Sequence, residues 1–419
     1  MDYKETLNLP KTDFPMKGNL PQREPLALQK WNSMKLYEKI QQKNKKAPFY
    51  CLHDGPPYAN GSIHFGHILN KTLKDIMVKF KNMSGFQTPY IPGWDCHGLP
   101  IEHQVDKTLG PKKQKMDKVA IRQACREYAE KFVGIQREEF KRLGILGDWD
   151  HPYRTMDFGY EATIAREFSK FVRAGSVYRG KKPVLWCASC RTALAEAEIE
   201  YEEVHSTSVY VKFALTKETQ ALLPKLKDET VSIVIWTTTP WTLPANLAIA
   251  LHPNYDYVAV RHQEEVLIVA KALLDSFSKI IGATKPLEVL DRFSGKHLEH
   301  KECYHPFLDR TSLIILGDHV TMEAGTGCVH IAPGHGQEDF DVGQQYGLPL
   351  LTPVDARGCF TEEAGLQELV GKPVFDTNSR IIEILKEKKA LLKDEDFPHS
   401  YPHCWRCKNK VLFRATEQW

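Results

Sequence analysis

Between residues 47 and 186, apolar segments alternate with runs whose apolar residues recur every three or four positions. Alternation of that kind predicts a parallel α/β sheet with covering helices. Within it, Ile68, Leu69, Leu73, Ile76, Met77 and Phe80 predict a helix starting near residue 64, after an apolar segment at 49–52 and a loop. Ile121, Cys125, Tyr128, Phe132 and Ile135 predict a longer helix, and Ile164, Phe168 and Phe171 another; these positions are expected to be core. Upstream, Leu28, Trp31, Met34, Leu36 and Ile40 predict one amphipathic helix beginning after Pro25. From about residue 205 the pattern changes. Short β-rich runs at 209–213, 231–236, 257–260, 266–270, 312–316 and 328–332 are separated by turn-forming residues, which predicts a β-rich, β-barrel-like domain with helical pieces. Near residue 400 the α/β pattern returns. The expected organisation is a helical or extended segment at 1–46, an α/β domain from 47 to 200, a β-rich insertion at 201–395, and a return to the α/β domain at 396–419.

Composition narrows the class. The 419 residues are 26% charged and 42% hydrophobic, with a net charge of +3. Two or three soluble domains are expected, and a nucleic-acid partner would meet local patches such as Lys43–Lys46 or Lys112–Lys118 rather than a global basic field. No apolar run reaches membrane-spanning length, and Met1-Asp2-Tyr3-Lys4-Glu5 is no secretory signal. A cytoplasmic, monomeric protein with no membrane partner is expected.

Ten cysteines without a signal read as thiols or metal ligands rather than disulfides. Four of them form two C-x-x-C knuckles, Cys187-Ala188-Ser189-Cys190 and Cys404-Trp405-Arg406-Cys407, at the two ends of the insertion. Four thiolates so arranged are a tetrahedral Zn2+ set with no open position, hence structural.

The chemistry concentrates at 53–67. His64 and His67 lie three apart at the predicted helix start, with Gly66 between them leaving room for a flat ring or a phosphate. An H-x-G-H alone is a weak signal. Here Gly55-Pro56-Pro57-Tyr58-Ala59-Asn60-Gly61 precedes it and Gly93-Trp94-Asp95-Cys96-His97-Gly98-Leu99-Pro100-Ile101-Glu102 comes after. Together these segments resemble the class I aminoacyl-tRNA synthetases, in wording closest to the bacterial-type isoleucyl enzymes, with Phe65 where the signature usually has Ile. The likeness runs from about residue 20 to Trp419; valyl and leucyl enzymes share its outline.

The resemblance implies a Rossmann-like catalytic domain that uses ATP, with Mg2+, to activate L-isoleucine and esterify tRNA(Ile). His64, Gly66 and His67 would then bind ATP, with His64 and His67 catalytic; Gly55 and Pro56 would line the amino-acid pocket, and Asp95 would pair with the substrate ammonium. Catalysis would rest on positioning and charge stabilisation, because the substrate carboxylate attacks ATP directly. The insertion carries segments similar to the family's editing motifs, Trp236-Thr237-Thr238-Thr239-Pro240-Trp241-Thr242-Leu243-Pro244-Ala245-Asn246 and Gly325–His330 followed by Ala332–Asp339. Thr237, Thr238, Thr239, Asn246, His330 and Asp339 are the implied editing residues, with His335 and Asp341 ranked below them. A hydrophobic pocket gains only ~1–3 kcal/mol from the methylene that separates isoleucine from valine, a limit for which this family is the usual worked example, so a second, hydrolytic sieve is needed. The K-M-S-K-S loop and an anticodon-binding domain are not found in these residues. The expectation is an N-terminal portion that does not aminoacylate alone. Alternatives are a valyl-type relative or an editing-only tRNA deacylase.

Overall fold

Where the spacing predicts one helix after Pro25, the computed structural model has two, α1 (Leu20–Ser33) and α2 (Leu36–Lys43). The chain breaks between them at Lys35, whose φ of 50° is left-handed and cannot continue a helix. The structure describes residues 3–8, 13 and 18–419; the terminal Met1-Asp2 and much of the opening of the 1–46 segment lie outside the described residues. Among the described residues no helix is long and apolar enough to cross a membrane. The chain divides into two compact units, Met1–Val177 and Tyr178–Trp419.

The first unit continues with α3 (Phe65–Met83), β1 (Gly93–Trp94), α4 (Leu99–Leu109), α5 (Lys118–Arg142), β2 (Tyr153–Arg154) and α6 (Phe158–Arg173). The parallel sheet is short. β1 pairs parallel to β2, and single parallel bridges join Phe49 to Gln87 and Tyr58 to Asp95. Gly93 is required there, because a Cβ on it would sit 2.0 Å from the Tyr153 ring. The core gathers Tyr90, Trp94, Ile101, Val105, Val133, Phe140 and Trp149.

Two core expectations are corrected. The buried stripe of α5 is Ala129, Val133, Gln136 and Phe140, not the run from Ile121 to Ile135, which is half-buried beside it. On α6, Ile164, Phe168 and Phe171 are about half exposed, as are Leu73, Ile76 and Phe80 on α3. Spacing identifies a face that gains by being covered, but burial requires something opposite, and the described residues place nothing there.

The second unit runs β3 (Gly180–Cys187), β4 (Thr192–Ala193), β5 (Ile199–Ala214), α7 (Lys217–Gln220), β6 (Val231–Thr237), β7 (Ala248–Leu251), β8 (Asp256–His262), β9 (Glu265–Ala270), α8 (Leu274–Ile280), β10 (Glu288–Ser294), β11 (Glu302–Tyr304), β12 (Thr311–Leu316), β13 (Cys328–Ile331), α9 (Gln337–Gln345), α10 (Asn378–Glu387), β14 (Leu391–Cys404) and β15 (Leu412–Gln418). The strands form three sheets, ordered β10-β8-β9-β6-β5-β14, β11-β12-β7-β13 and β15-β3-β4. Most neighbours are antiparallel, while β6–β9 and β7–β12 are parallel. The pairing leaves open edges at β10 and β14, so the expected barrel is replaced by mixed sheets that share one core containing Val211, Phe213, Ile233, Ile249, Leu251, Ile268 and Ile314. β14 pairs with β5 from Leu391 opposite Val211 to Cys404 opposite Ile199.

Gln136 is fully buried on α5. It accepts from Trp94 Nε1 at 3.0 Å and donates to the Tyr58 and Gly61 carbonyls at 3.0 and 2.8 Å. Gln136→Ala would strand those three groups and is expected to destabilise the first unit by about 3 kcal/mol. Native-state hydrogen exchange is the check: faster exchange of α3 and α5 amides with β6 and β9 unchanged is the expected result, and unchanged exchange in α5 would contradict it.

Candidate functional site

The loop before α3 is held from several sides. Asp95 N donates to Pro57 O and Ala59 N donates to Asp95 O, both at 2.9 Å, so the Gly55–Ala59 segment lies along the end of β1. Helix α5 holds the next residues: Tyr128 donates to Asn60 Oδ1 at 2.8 Å, and Glu139 accepts from Ile63 N at 2.8 Å. His64 then caps α3, its Nδ1 accepting from Gly66 N at 3.1 Å, while His67 Nδ1 accepts from His64 N at 3.3 Å. The two rings stack with centroids 3.8 Å apart. A Cβ on Gly66 would meet His64 Cε1 at 2.9 Å, so only glycine lets the ring close over the helix start. Burial pushes His67 down, helped by His64 and Lys71, so it is a neutral ring at physiological pH.

Asp95 is half-buried. Its Oδ1 accepts from His97 N at 3.3 Å and Thr155 Oγ1 at 3.4 Å, and no described group donates to Oδ2, which is free for a cation. Gly55 is exposed and Pro56 half-buried.

Beneath this loop is a charge cluster that sequence reasoning did not single out. Asp54 is buried, paired with Lys71 and with Lys74 at 2.8 Å, and accepts from Gly93 N at 3.0 Å; its carbonyl accepts from Tyr153. Burial alone would raise this carboxyl, but the two ammoniums and the N–H outweigh it and hold it below the usual range. Asp54 thereby ties α3 to β1 immediately before Gly55. Lys71 and Lys74 fall between apolar positions of α3, and a helix lysine reads as solvated until its partner is seen.

In the second unit, residues from two distant segments surround one pocket of about 220 Å³, lined by Trp236, Thr237, Thr239, Thr242, Val329, His330, Ala332, His335, Gly336 and Asp339. The threonine segment leaves the end of β6 and turns at Pro240; Trp241 N donates to Asn378 Oδ1 of α10 at 3.1 Å, which pins the turn. Thr237 Oγ1 accepts from Thr239 N at 3.1 Å and lies 3.2 Å from Thr239 Oγ1. Thr238 is half-buried and does not line the pocket, and Asn246 is fully buried behind it. His330 projects from β13 with Nε2 2.8 Å from Thr242 Oγ1 and Nδ1 3.0 Å from Asn246 Nδ2.

Asp339 stands in the first turn of α9, its Oδ2 accepting from Ala332 N at 2.7 Å. Burial raises its carboxyl to about 7, and burial pushes His330 and His335 down to about 4. His335 lines the pocket, with Nδ1 donating to Phe413 O at 2.9 Å; Asp341 instead faces a cleft beside His319 and Tyr346. The pocket thus offers threonine hydroxyls, a carboxyl and neutral imidazoles on one lining.

Cys187, Cys190, Cys404 and Cys407 come together, their sulfurs all within 4.8 Å of one another although Cys187 and Cys407 are 220 positions apart. Cys187 Sγ lies 3.4 Å from Cys407 Sγ and accepts from Cys190 N at 3.3 Å. None of the four is in a disulfide. Ligand bonds of about 2.3 Å at tetrahedral angles separate sulfurs by about 3.8 Å, so the set fits a metal ion.

Residues 26–419 match the family of tRNA synthetases class I (I, L, M and V). Similar curated proteins include the isoleucine–tRNA ligases of Geobacter sulfurreducens, 57% identical over 419 residues, and Syntrophotalea carbinolica, 55% identical; each match covers 100% of this chain and 45% of the relative. That of Fervidobacterium pennivorans is 54% identical over all of this chain and 44% of its own length. The chain spans about half the length of the curated relatives it matches. With the family matched across both units, the chain belongs to the class I tRNA synthetases of the I, L, M and V group.

Proposed function

We propose that the chain is the activating and editing portion of an isoleucine–tRNA ligase, acting on L-isoleucine, ATP with Mg2+, and tRNA(Ile). The first unit would supply part of the isoleucine-activating site, with His64, Gly66 and His67 on ATP, Gly55 and Pro56 beside the side chain, and Asp95 Oδ2 on the ammonium. The second would hydrolyse Val-tRNA(Ile). What carries this reading is the single pocket that joins Thr237 and Thr239 to His330 and Asp339. Its carboxyl suits an ammonium and its hydroxyls suit a terminal ribose, as an aminoacyl ester requires. The four cysteines would hold a structural Zn2+ that ties β3 to the end of β14.

The test is deacylation of Val-tRNA(Ile) and Ile-tRNA(Ile) by this chain. Loss of valine alone is expected, slowed ~100-fold by Asp339→Ala, the scale of ~3 kcal/mol for losing a buried charge partner. Because burial holds Asp339 near 7, its protonated form at lower pH cannot pair with the ammonium. KM should therefore rise as pH falls from about 7 toward 5.5, and that rise should vanish in Asp339→Asn. Equal hydrolysis of both esters, or indifference to Asp339→Ala, would refute the editing assignment; attack on threonine esters of tRNA(Val) would move the identity to a valyl-type relative.

Metal analysis addresses the cysteines. About one zinc per chain is expected in protein purified without chelator, and its removal should lower the Tm. Less than about half an equivalent would count against the site.

A further inference from the structure

Behind the pocket, hydrogen bonds run in one direction through fully or nearly buried groups. Ser312 Oγ of β12 contacts Asn246 Oδ1 at 2.6 Å. The amide nitrogen of Asn246 lies 2.8 Å from Ala248 O and 3.0 Å from His330 Nδ1. A carbonyl only accepts, so the end of the amide facing Ala248 is the NH2, and its second hydrogen points at Nδ1. Nδ1 therefore accepts and carries no proton. A neutral ring then carries its proton on Nε2 and donates to Thr242 Oγ1 at 2.8 Å, and Thr242 in turn donates to Thr239 O at 2.8 Å. Ser312 and Asn246 are 0% exposed, Thr242 6% and His330 8%, so water does not compete for these bonds.

The surroundings support a neutral ring. The titratable groups around His330 are His335 and His305, both pushed down by burial, and Asp339, whose Oδ2 is engaged with Ala332 N. Both ring nitrogens of His330 are engaged by protein groups, and neither offers a lone pair to an attacking water. The hydrogen-bond chain ends at the carbonyl of Thr239, whose side chain lines the pocket. Arg310 braces the same segment from the other side, donating to Pro244 O and Asn246 O at 2.7 and 2.9 Å.

We propose that Ser312 is a positioning residue that, through Asn246, locks His330 as an Nε2–H donor to Thr242, so that His330 fixes the threonine turn and takes no proton in ester hydrolysis. This rests on the editing reading for its consequence, but the tautomer is measurable without activity. Histidine-selective 15N labelling of the 419-residue chain, with the His330 signals assigned by their loss in His330→Gln, reads which nitrogen is protonated.

The expected result is a neutral ring protonated at Nε2 from about pH 5.5 to 8. Asn246→Asp, which replaces the donor by an acceptor, should move a proton onto Nδ1. Ser312→Ala, which leaves only Ala248 O to orient the amide, should admit a fraction of the Nδ1–H ring, with the amide signals of β8 and β9 unchanged as the control for folding. A proton on Nδ1 in the unaltered chain, or an Nε2–H ring that persists in Asn246→Asp, would overturn the proposal. In deacylation of Val-tRNA(Ile), Ser312→Ala should lower kcat ~5-fold with KM unchanged, the scale of one hydrogen bond, and the pH profile of kcat should show no limb that disappears in His330→Gln. Such a limb would make His330 the base. Absence of any deacylation by the unaltered chain would count against the editing reading and leave the tautomer result standing.

Discussion

The antiparallel pairing of β5 with β14 is the constraint on which the second unit depends. It joins residues 199–211 to 391–404 along one ribbon and so closes a loop of nearly the whole β-rich region. Closing a loop of that length costs on the order of 4–5 kcal/mol in chain entropy. The ladder alone is poorly placed to offset this, because much of the ribbon is exposed and β14 is an edge strand. The cost is met where β5 enters the core, through Val209, Val211 and Phe213 against β6 and its neighbours. At the far end the ribbon sets Cys404 opposite Ile199 and delivers the second C-x-x-C to the first.

From that closure the pocket follows. β6 carries the threonine turn out of the six-stranded sheet to Asn246, just before β7, and β13 carries His330 into the four-stranded one. The shared core fixes the two sheets against each other, and so sets the distance between hydroxyls and carboxyl. Buried at the seam, the Ser312–Asn246–His330–Thr242 chain has every donor and acceptor matched, which is the condition under which buried polar groups stiffen a structure rather than weaken it. In the first unit the same role falls to helix α5 and to Asp54. Their side chains hold a glycine- and proline-rich loop that forms almost no regular structure of its own.

Strands with a buried face were legible as sequence. β6, β9 and β12 begin and end within a residue of their apolar runs, because four or more consecutive apolar residues leave little choice. β14 was not legible: Lys393, Asp394, Glu395, Pro398 and Pro402 argue against a strand, and the segment is one only because β5 lies alongside and its outer edge needs no donors. The polar start of β5, from Glu200 to Ser206, was hidden for the same reason. The paired cysteines were visible by spacing, since each knuckle is local even though the join is not. Asp54, Gln136 and Ser312 were invisible, for a buried polar residue is recognised by the partner it meets, 17 positions away for Asp54 and Lys71 and 66 for Ser312 and Asn246. The uncovered faces of α3 and α6 show the converse, in which a perfect apolar period proves helix and says nothing about cover.

The central claim is that one pocket binds an aminoacyl ester with its ammonium on Asp339 and its ribose on the threonine turn. A crystal structure of this chain with a non-hydrolysable valyl-adenosine amide tests it most directly. The account predicts the valyl nitrogen within hydrogen-bonding distance of Asp339 and ribose oxygens against Thr237 and Thr239, with the His330 ring unmoved. Density for the ligand elsewhere, or in that pocket with its ends reversed, would contradict it.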